Sequence, residues 1–315
     1  MVPPALSLVA DIGGTNTRVA LADAATVQVD SVRRYRNAEF DGIASVIARY
    51  LEDSGQNADG ITGVCVAMAG PVHDGVGTLT NLDWRIDKAV LAEALTAEHV
   101  AVLNDLQAQG HAIGNIAEAD LETILPQPEV PETAAKLVIG LGTGFNACPV
   151  FDTKAGRFVP PSEAGHVSLP TSITELHPLL ENLTDSQGYP SVEEVLSGRG
   201  VSQLHAALHG ETVDPADILA RIGEGEALAT DTGALFVKVL GDVAGNLALS
   251  HLPFGGVSLV GGVTRAFAPY LEQFEFAAAF RSKGRFSTFM EQFGVCVVSD
   301  DYAALTGCAS HLARG

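Results

Sequence analysis

Two hydrophobic rhythms run through the chain. Strands are predicted near 5–11, 17–23 and 27–34. The continuous apolar run Ile61–Ala69 reads as a strand buried on both faces, and Val100–Leu103 as another. Between them, 41–54 has a helical period, with Ile43, Val46, Ile47, Tyr50 and Leu51 on one face, and 87–97 forms a helix that Asp87 is placed to start. A further helix is expected at 106–114. Strands alternating with helices predict an α/β fold.

The rhythm then recurs. Residues 137–152 laid on 8–23 match at Leu137, Val138, Gly142 and Asp152, and both segments read strand, glycine turn, strand. A duplicated unit explains this better than chance. Segments 109–136 and 171–192 read as helices and loops over a second lobe, and 226–252 as one long helix. Val257–Val260 is a strand that runs into Gly261-Gly262. A last strand at 295–299 and a last helix at 301–313 follow.

Composition narrows the functions open to such a chain. Of 315 residues 47% are hydrophobic, enough for a sizeable core, and the net charge of −20 disfavours nucleic acid as a partner. The one basic cluster, Arg33, Arg34 and Arg36, reads as a solvated face, so a bound phosphate would rely on backbone donors and a metal. Cys65, Cys148, Cys296 and Cys308 lack zinc spacing and lie in apolar surroundings, as small hydrophobes do. No uninterrupted apolar run reaches about 18 residues, and Met-Val-Pro-Pro-Ala lacks a basic leader region, which predicts a cytoplasmic protein and no membrane partner.

The chemistry concentrates at the turns. After Asp11, the residues Gly13 and Gly14 let backbone N–H groups approach an anion, while Thr15, Asn16 and Arg18 add donors and charge. A plain Gly-Gly hairpin with a capping Asp is the alternative. Asp105, just past a buried strand, suits either a general base or the N-cap of the next helix. Trp84 suits core packing and stacking on a ligand equally, and the histidines other than His166 have no metal-like spacing.

Taken together, these motifs resemble the bacterial glucokinases, nearly end to end. Asp11–Arg18 is similar to the first phosphate motif, Gly140–Gly144 to the second, and Gly261-Gly262-Val263 to the adenosine motif. Thr80–Trp84 resembles a sugar-contacting loop, Ser162–Val167 the Glu-x-Gly-His sugar motif, and Ser191–Gly198 the segment with a third sugar-binding acid. Asn146 and Ser162 stand where the family usually has glycine. The zinc motif of the repressor and sugar-kinase branch is missing, as is a helix-turn-helix.

The resemblance implies a two-lobed actin-like ATPase fold, with a ribonuclease H-like core in each lobe and a cleft between. Residues 1–108 with 298–315 would form the small lobe and 109–297 the large one. It implies transfer of the γ-phosphate of ATP to the 6-hydroxyl of glucose. Asp105 would be the base, and Asn81, Asn104, Asp105, Glu163, His166 and Glu193 the sugar ligands. Asp11, Gly13, Gly14, Thr15, Asn16, Gly142, Thr143, Gly144, Gly261 and Gly262 would surround the nucleotide, with Asp11 holding Mg²⁺ through water. A homodimer stays open. So do a kinase of mannose, fructose or an amino sugar, and an actin-like ATPase that acts through protein partners.

Overall fold

A computed structural model describes residues 6–79 and 82–314. The chain divides into two compact units: residues 1–117, 152–161 and 300–315, and residues 118–151 and 162–299.

In the first unit, strands β1 (Ser7–Ile12), β2 (Asn16–Asp23), β3 (Gly63–Met68) and β4 (His99–Asn104) form a sheet in the order β2-β1-β3-β4. β1 pairs antiparallel with β2, while β1, β3 and β4 run parallel, with Ile12, Met68 and Asn104 in register at their carboxyl ends. All six residues of β3 are buried, as its unbroken apolar run requires. On one face lie α1 (Ile43–Ser54), which buries Ile43, Val46, Ile47 and Tyr50, and α2 (Lys88–Leu95), capped by Asp87 on the Ala89 N–H. On the other lie α3 (Asp105–Ala112) and the helix Ala303–Arg314, whose Leu305, Cys308, Ala309 and Leu312 pack on Val9, Ala20, Cys65 and Ala67. Trp84 is part of the core.

The expected strand at 27–34 is broken. Short strands Thr26–Val27 and Arg33–Arg36 flank a 3-10 turn at Val29–Ser31. Ser31 Oγ donates to Gln28 O and accepts from Leu21 N, which bends the chain where its apolar pattern alone would extend it.

The second unit repeats the plan. β5 (Leu121–Leu125), β6 (Lys136–Leu141), β7 (Phe145–Thr153), β8 (Val257–Val260) and β9 (Val295–Val298) lie in the order β7-β6-β8-β9-β5. β6 and β7 form an antiparallel hairpin, and β6, β8 and β9 run parallel, the arrangement of β2-β1-β3-β4. The strand β5 falls within 109–136, where helices and loops were expected. It pairs antiparallel with β9, and its first three residues are exposed, so no apolar alternation marks it.

Helices α4 (Gly198–His209), α5 (Pro215–Gly223) and α6 (Ala227–His251) cover the sheet, and α7 (Gly262–Phe267) follows β8. By length and composition the 25-residue α6 could cross a membrane, but 72% of its most apolar window is buried within the protein, as in a core helix.

Candidate functional site

The first glycine turn joins β1 to β2. Gly13 N–H donates to Asn16 O at 3.0 Å and closes the turn. Beside it opens a hollow of about 280 Å³ lined by Asp11, Gly13, Gly14, Thr15, Asn16, Arg18 and Arg34. The basic cluster is a solvated face, with Arg33, Arg34 and Arg36 all exposed, and Arg34 also lines this hollow. Its strand pairs with β2, opposite Arg18, and this register brings a second guanidinium to the hollow.

Asn37, which sequence reasoning passed over, holds the turn from behind. It is 1% exposed; its Nδ2 donates to Gly13 O at 2.8 Å, and its Oδ1 accepts from Thr17 Oγ1 at 2.8 Å. Its only sequence signal was a polar residue ending the basic cluster.

Asp11 sits one residue from the end of β1. Burial pushes its pKa up, and Arg18, with Nη1 4.0 Å from Oδ2, opposes that. A partly dehydrated carboxylate beside a polar hollow suits a hard cation that arrives with its own waters and phosphate oxygens. Among the described residues no group of three or more His, Cys, Asp and Glu side chains could hold a metal alone.

At the carboxyl end of β4, the N-cap role left open for Asp105 falls to Asn104. Asn104 is the N-cap of α3: its Oδ1 accepts from Leu106 N, and Gln107 Oε1 accepts from Asn104 N. That reciprocal pair is a capping box. Asn104 Nδ2 also donates to Gly70 O at 3.0 Å. Asp105 is therefore the first residue inside α3, with Oδ1 anchored on Leu106 N at 2.8 Å. Asn81 lies outside the described residues.

The second unit carries the remaining groups. Gly142, Thr143 and Gly144 form the turn between β6 and β7, with Gly142 N–H donating to Gly144 O. A Cβ on Gly142 or on Gly262 would meet no atom within 4 Å, so each leaves open space beside its turn. Gly261, at the end of β8, has φ 103°, and a Cβ there would stand 2.1 Å from Leu141 O. Only glycine fits that conformation and that approach.

The Glu163-Ala-Gly-His166 segment is a 3-10 turn with both acid and imidazole solvent-exposed, Nε2 to Oε2 3.9 Å apart. Gly165 serves a close approach: a Cβ would stand 2.2 Å from Phe145 O. Asn146 and Ser162, the two departures from the family pattern, are bonded to one another. Asn146 Nδ2 donates to Ser162 O, while its Oδ1 accepts from Ala164 N at 3.0 Å. One amide thus ties β7 to the loop that carries Glu163. Glu193 reaches the same place from the other side, accepting from Phe145 N at 2.9 Å. Gly144, Gly165, Asn146 and Glu193 therefore surround Phe145, so the predicted sugar acids and the second glycine turn are neighbours. A larger hollow of about 690 Å³, lined by parts of α4, α6 and the 273–282 segment, contains none of the predicted site residues.

The chemistry on offer is consistent across both units. Turns at the strand ends leave backbone N–H groups beside small residues, a carboxylate is fixed at a helix start, and Glu193 lies beside the loop that carries Glu163. The family model for glucokinase matches residues 8–315. The glucokinase of Stenotrophomonas maltophilia is 34% identical, with 97% of this chain and 94% of the relative covered. That of Chromohalobacter salexigens is 32% identical, with 97% of each covered. A crystal structure of glucokinase from an Antarctic psychrotroph superposes with a TM-score of 0.86 at 29% identity, covering 98% of both chains. The glucokinase of Balamuthia mandrillaris in complex with glucose shares the fold, with a TM-score of 0.79 at 23% identity over 98% of this chain and 94% of that one.

Proposed function

The chain belongs to the glucokinase family and is an ATP-dependent glucose kinase, and from that premise we propose that Asp105 is the general base of phosphoryl transfer. The observation that carries this is the geometry at the start of α3. Asn104 forms the capping box with Gln107, and the Leu106 N–H, shared with Asn104, fixes the Asp105 carboxylate in orientation. A positioned carboxylate accepts the proton of the sugar 6-hydroxyl as its oxygen attacks the γ-phosphorus and ADP leaves.

Glu163, His166 and Glu193 would bind the sugar hydroxyls, with Asn81 and Asn104 completing the set. Asn104 still has one amide N–H beyond its bond to Gly70 O for that purpose. The backbone of the turns at 13–16 and 142–144 would hold the phosphates, with Arg18 and Arg34 offsetting their charge. The adenosine would lie at Gly261-Gly262. Asp11 is the residue suited to Mg²⁺, whose contribution when bound is to neutralise charge on the phosphates. A cytoplasmic location belongs to the same reading, in keeping with the lack of disulfides among the described residues.

The test is Asp105→Asn, assayed by coupled turnover with ATP against glucose, mannose, fructose and glucosamine. With glucose, kcat should fall about 10²–10⁴-fold, while calorimetry should find glucose affinity within a few-fold of wild type. A variant that keeps more than about a tenth of wild-type turnover removes Asp105 from the role.

A further inference from the structure

We propose that Arg199 is a positioning residue for glucose, acting through Glu193; the proposal rests on Glu193 being a sugar-binding acid. Arg199 opens α4 and makes a two-pronged pair with Glu194. Its Nη1 donates to Oε2 at 2.8 Å and its Nη2 to Oε1 at 2.7 Å. The Glu194 side chain is only 3% exposed, and Gln203 Nε2 also approaches its Oε2 at 3.4 Å. The buried carboxylate therefore fixes the plane of the guanidinium.

That fixed fork carries a third bond. Nη2 also donates to Glu193 Oε1 at 3.2 Å. Glu194 does not need it, because both its oxygens are already paired. What the third bond does is hold Glu193, whose other oxygen, Oε2, accepts from Phe145 N at 2.9 Å. With both oxygens tethered, Glu193 keeps one rotamer, and the order needed to receive a sugar is present before it arrives. The guanidinium also stands between two adjacent carboxylates that would otherwise repel each other.

The position of Oε2 gives the tether its importance. It lies 2.4 Å from where a Cβ on Gly144 would be and 3.3 Å from one on Gly165. No side chain longer than glycine at position 144 leaves room for this carboxylate. Glu193 thus meets the sugar motif and the second glycine turn with one group, and Arg199 decides where that group points.

A lysine keeps the charge but cannot fork to two carboxylates. In Arg199→Lys, the KM for glucose should rise about tenfold, the lower end for one charge-assisted hydrogen bond at a partly exposed site. kcat, the KM for ATP and Tm should stay near wild type. Should that variant fail to fold, Arg199→Met with Glu194→Gln removes both charges and leaves no buried carboxylate unpaired, and the same rise is expected. In a Glu193→Ala background, Arg199→Lys should add less than twofold, because its effect runs through the lost side chain. An unmoved glucose KM in the Arg199 variants, with Glu193→Ala raising it, overturns the positioning role and leaves the sugar site standing. Equal effects of Arg199→Lys with and without Glu193 overturn it as well. If Glu193→Ala itself leaves the glucose KM unchanged, both the site assignment and this proposal fall.

Discussion

Mild acid should destabilise this protein through one histidine pair. His111, in the last turn of α3, is 4% exposed, and its Nε2 lies 3.2 Å from His311 Nδ1, with the rings edge to face at 4.5 Å. Burial pushes the pKa of His111 down to about 3, helped by repulsion from His311, Arg157 and Arg314, with Asp152 opposing. His311 is lowered too, by burial first and then by Lys88. The Nδ1 of His111 is buried without a hydrogen-bond partner, so a proton added there would find no acceptor. The folded protein therefore keeps His111 neutral, while the unfolded chain takes up a proton near the ordinary value of 6.5. Its contribution to stability is complete above that value and is lost as pH falls from there towards 3. Each unit of pH in that window costs about 1.4 kcal/mol per proton, so His111 alone removes about 2 kcal/mol between pH 7 and pH 5. Urea unfolding at the two pH values measures this directly. His111→Gln, neutral throughout, should shrink the pH-dependent loss by about 2 kcal/mol. An equal loss in both proteins would refute the reasoning.

Three substitutions probe the turns. Gly261→Ala puts a Cβ 2.1 Å from Leu141 O at a φ of 103° and should cost about 3 kcal/mol, read by calorimetry, with the KM for ATP raised. Asn37→Ala strips a buried prop from the first turn; it should cost about 2 kcal/mol and weaken ATP more than glucose, and the opposite order would argue against a nucleotide role for that turn. Asn146→Gly releases Ser162 O and Ala164 N, so the KM for glucose should rise severalfold while the KM for ATP moves less.

The elements legible in the sequence were those whose pattern was set by burial. β3 announced itself by an unbroken apolar run, and α1 by its period, because each is decided by the core it faces. The glycine turns were legible because a strand that ends in two glycines is rarely anything else. α4 was not: it begins Gly-Arg-Gly, a poor helix former, and is started by Ser197, whose Oγ accepts from Gly200 N. At the candidate site, the sequence offered candidate residues but not their partnerships. Asn104 and Asp105 can each cap a helix, and the deciding residue was Gln107, three positions on, whose side chain completes the box with Asn104. Arg199 and Asn37 act from positions that no local motif includes, and their roles depend on contacts made only once the chain is folded.

The packing of the helix Ala303–Arg314 on the first sheet sets an order on biosynthesis. Val9, Ala20, Cys65 and Ala67 leave the ribosome early, yet the side chains that cover them, Leu305, Cys308, Ala309 and Leu312, are translated last. At about 5–20 residues per second, the face lacks that cover for roughly 10–40 s after residue 117 has been made. Throughout that interval a nascent chain presents an apolar sheet face with only α3 to cover it. A premature stop before residue 303 would leave the same face without its second helix for good, so even short truncations should yield aggregates and not a weakened enzyme.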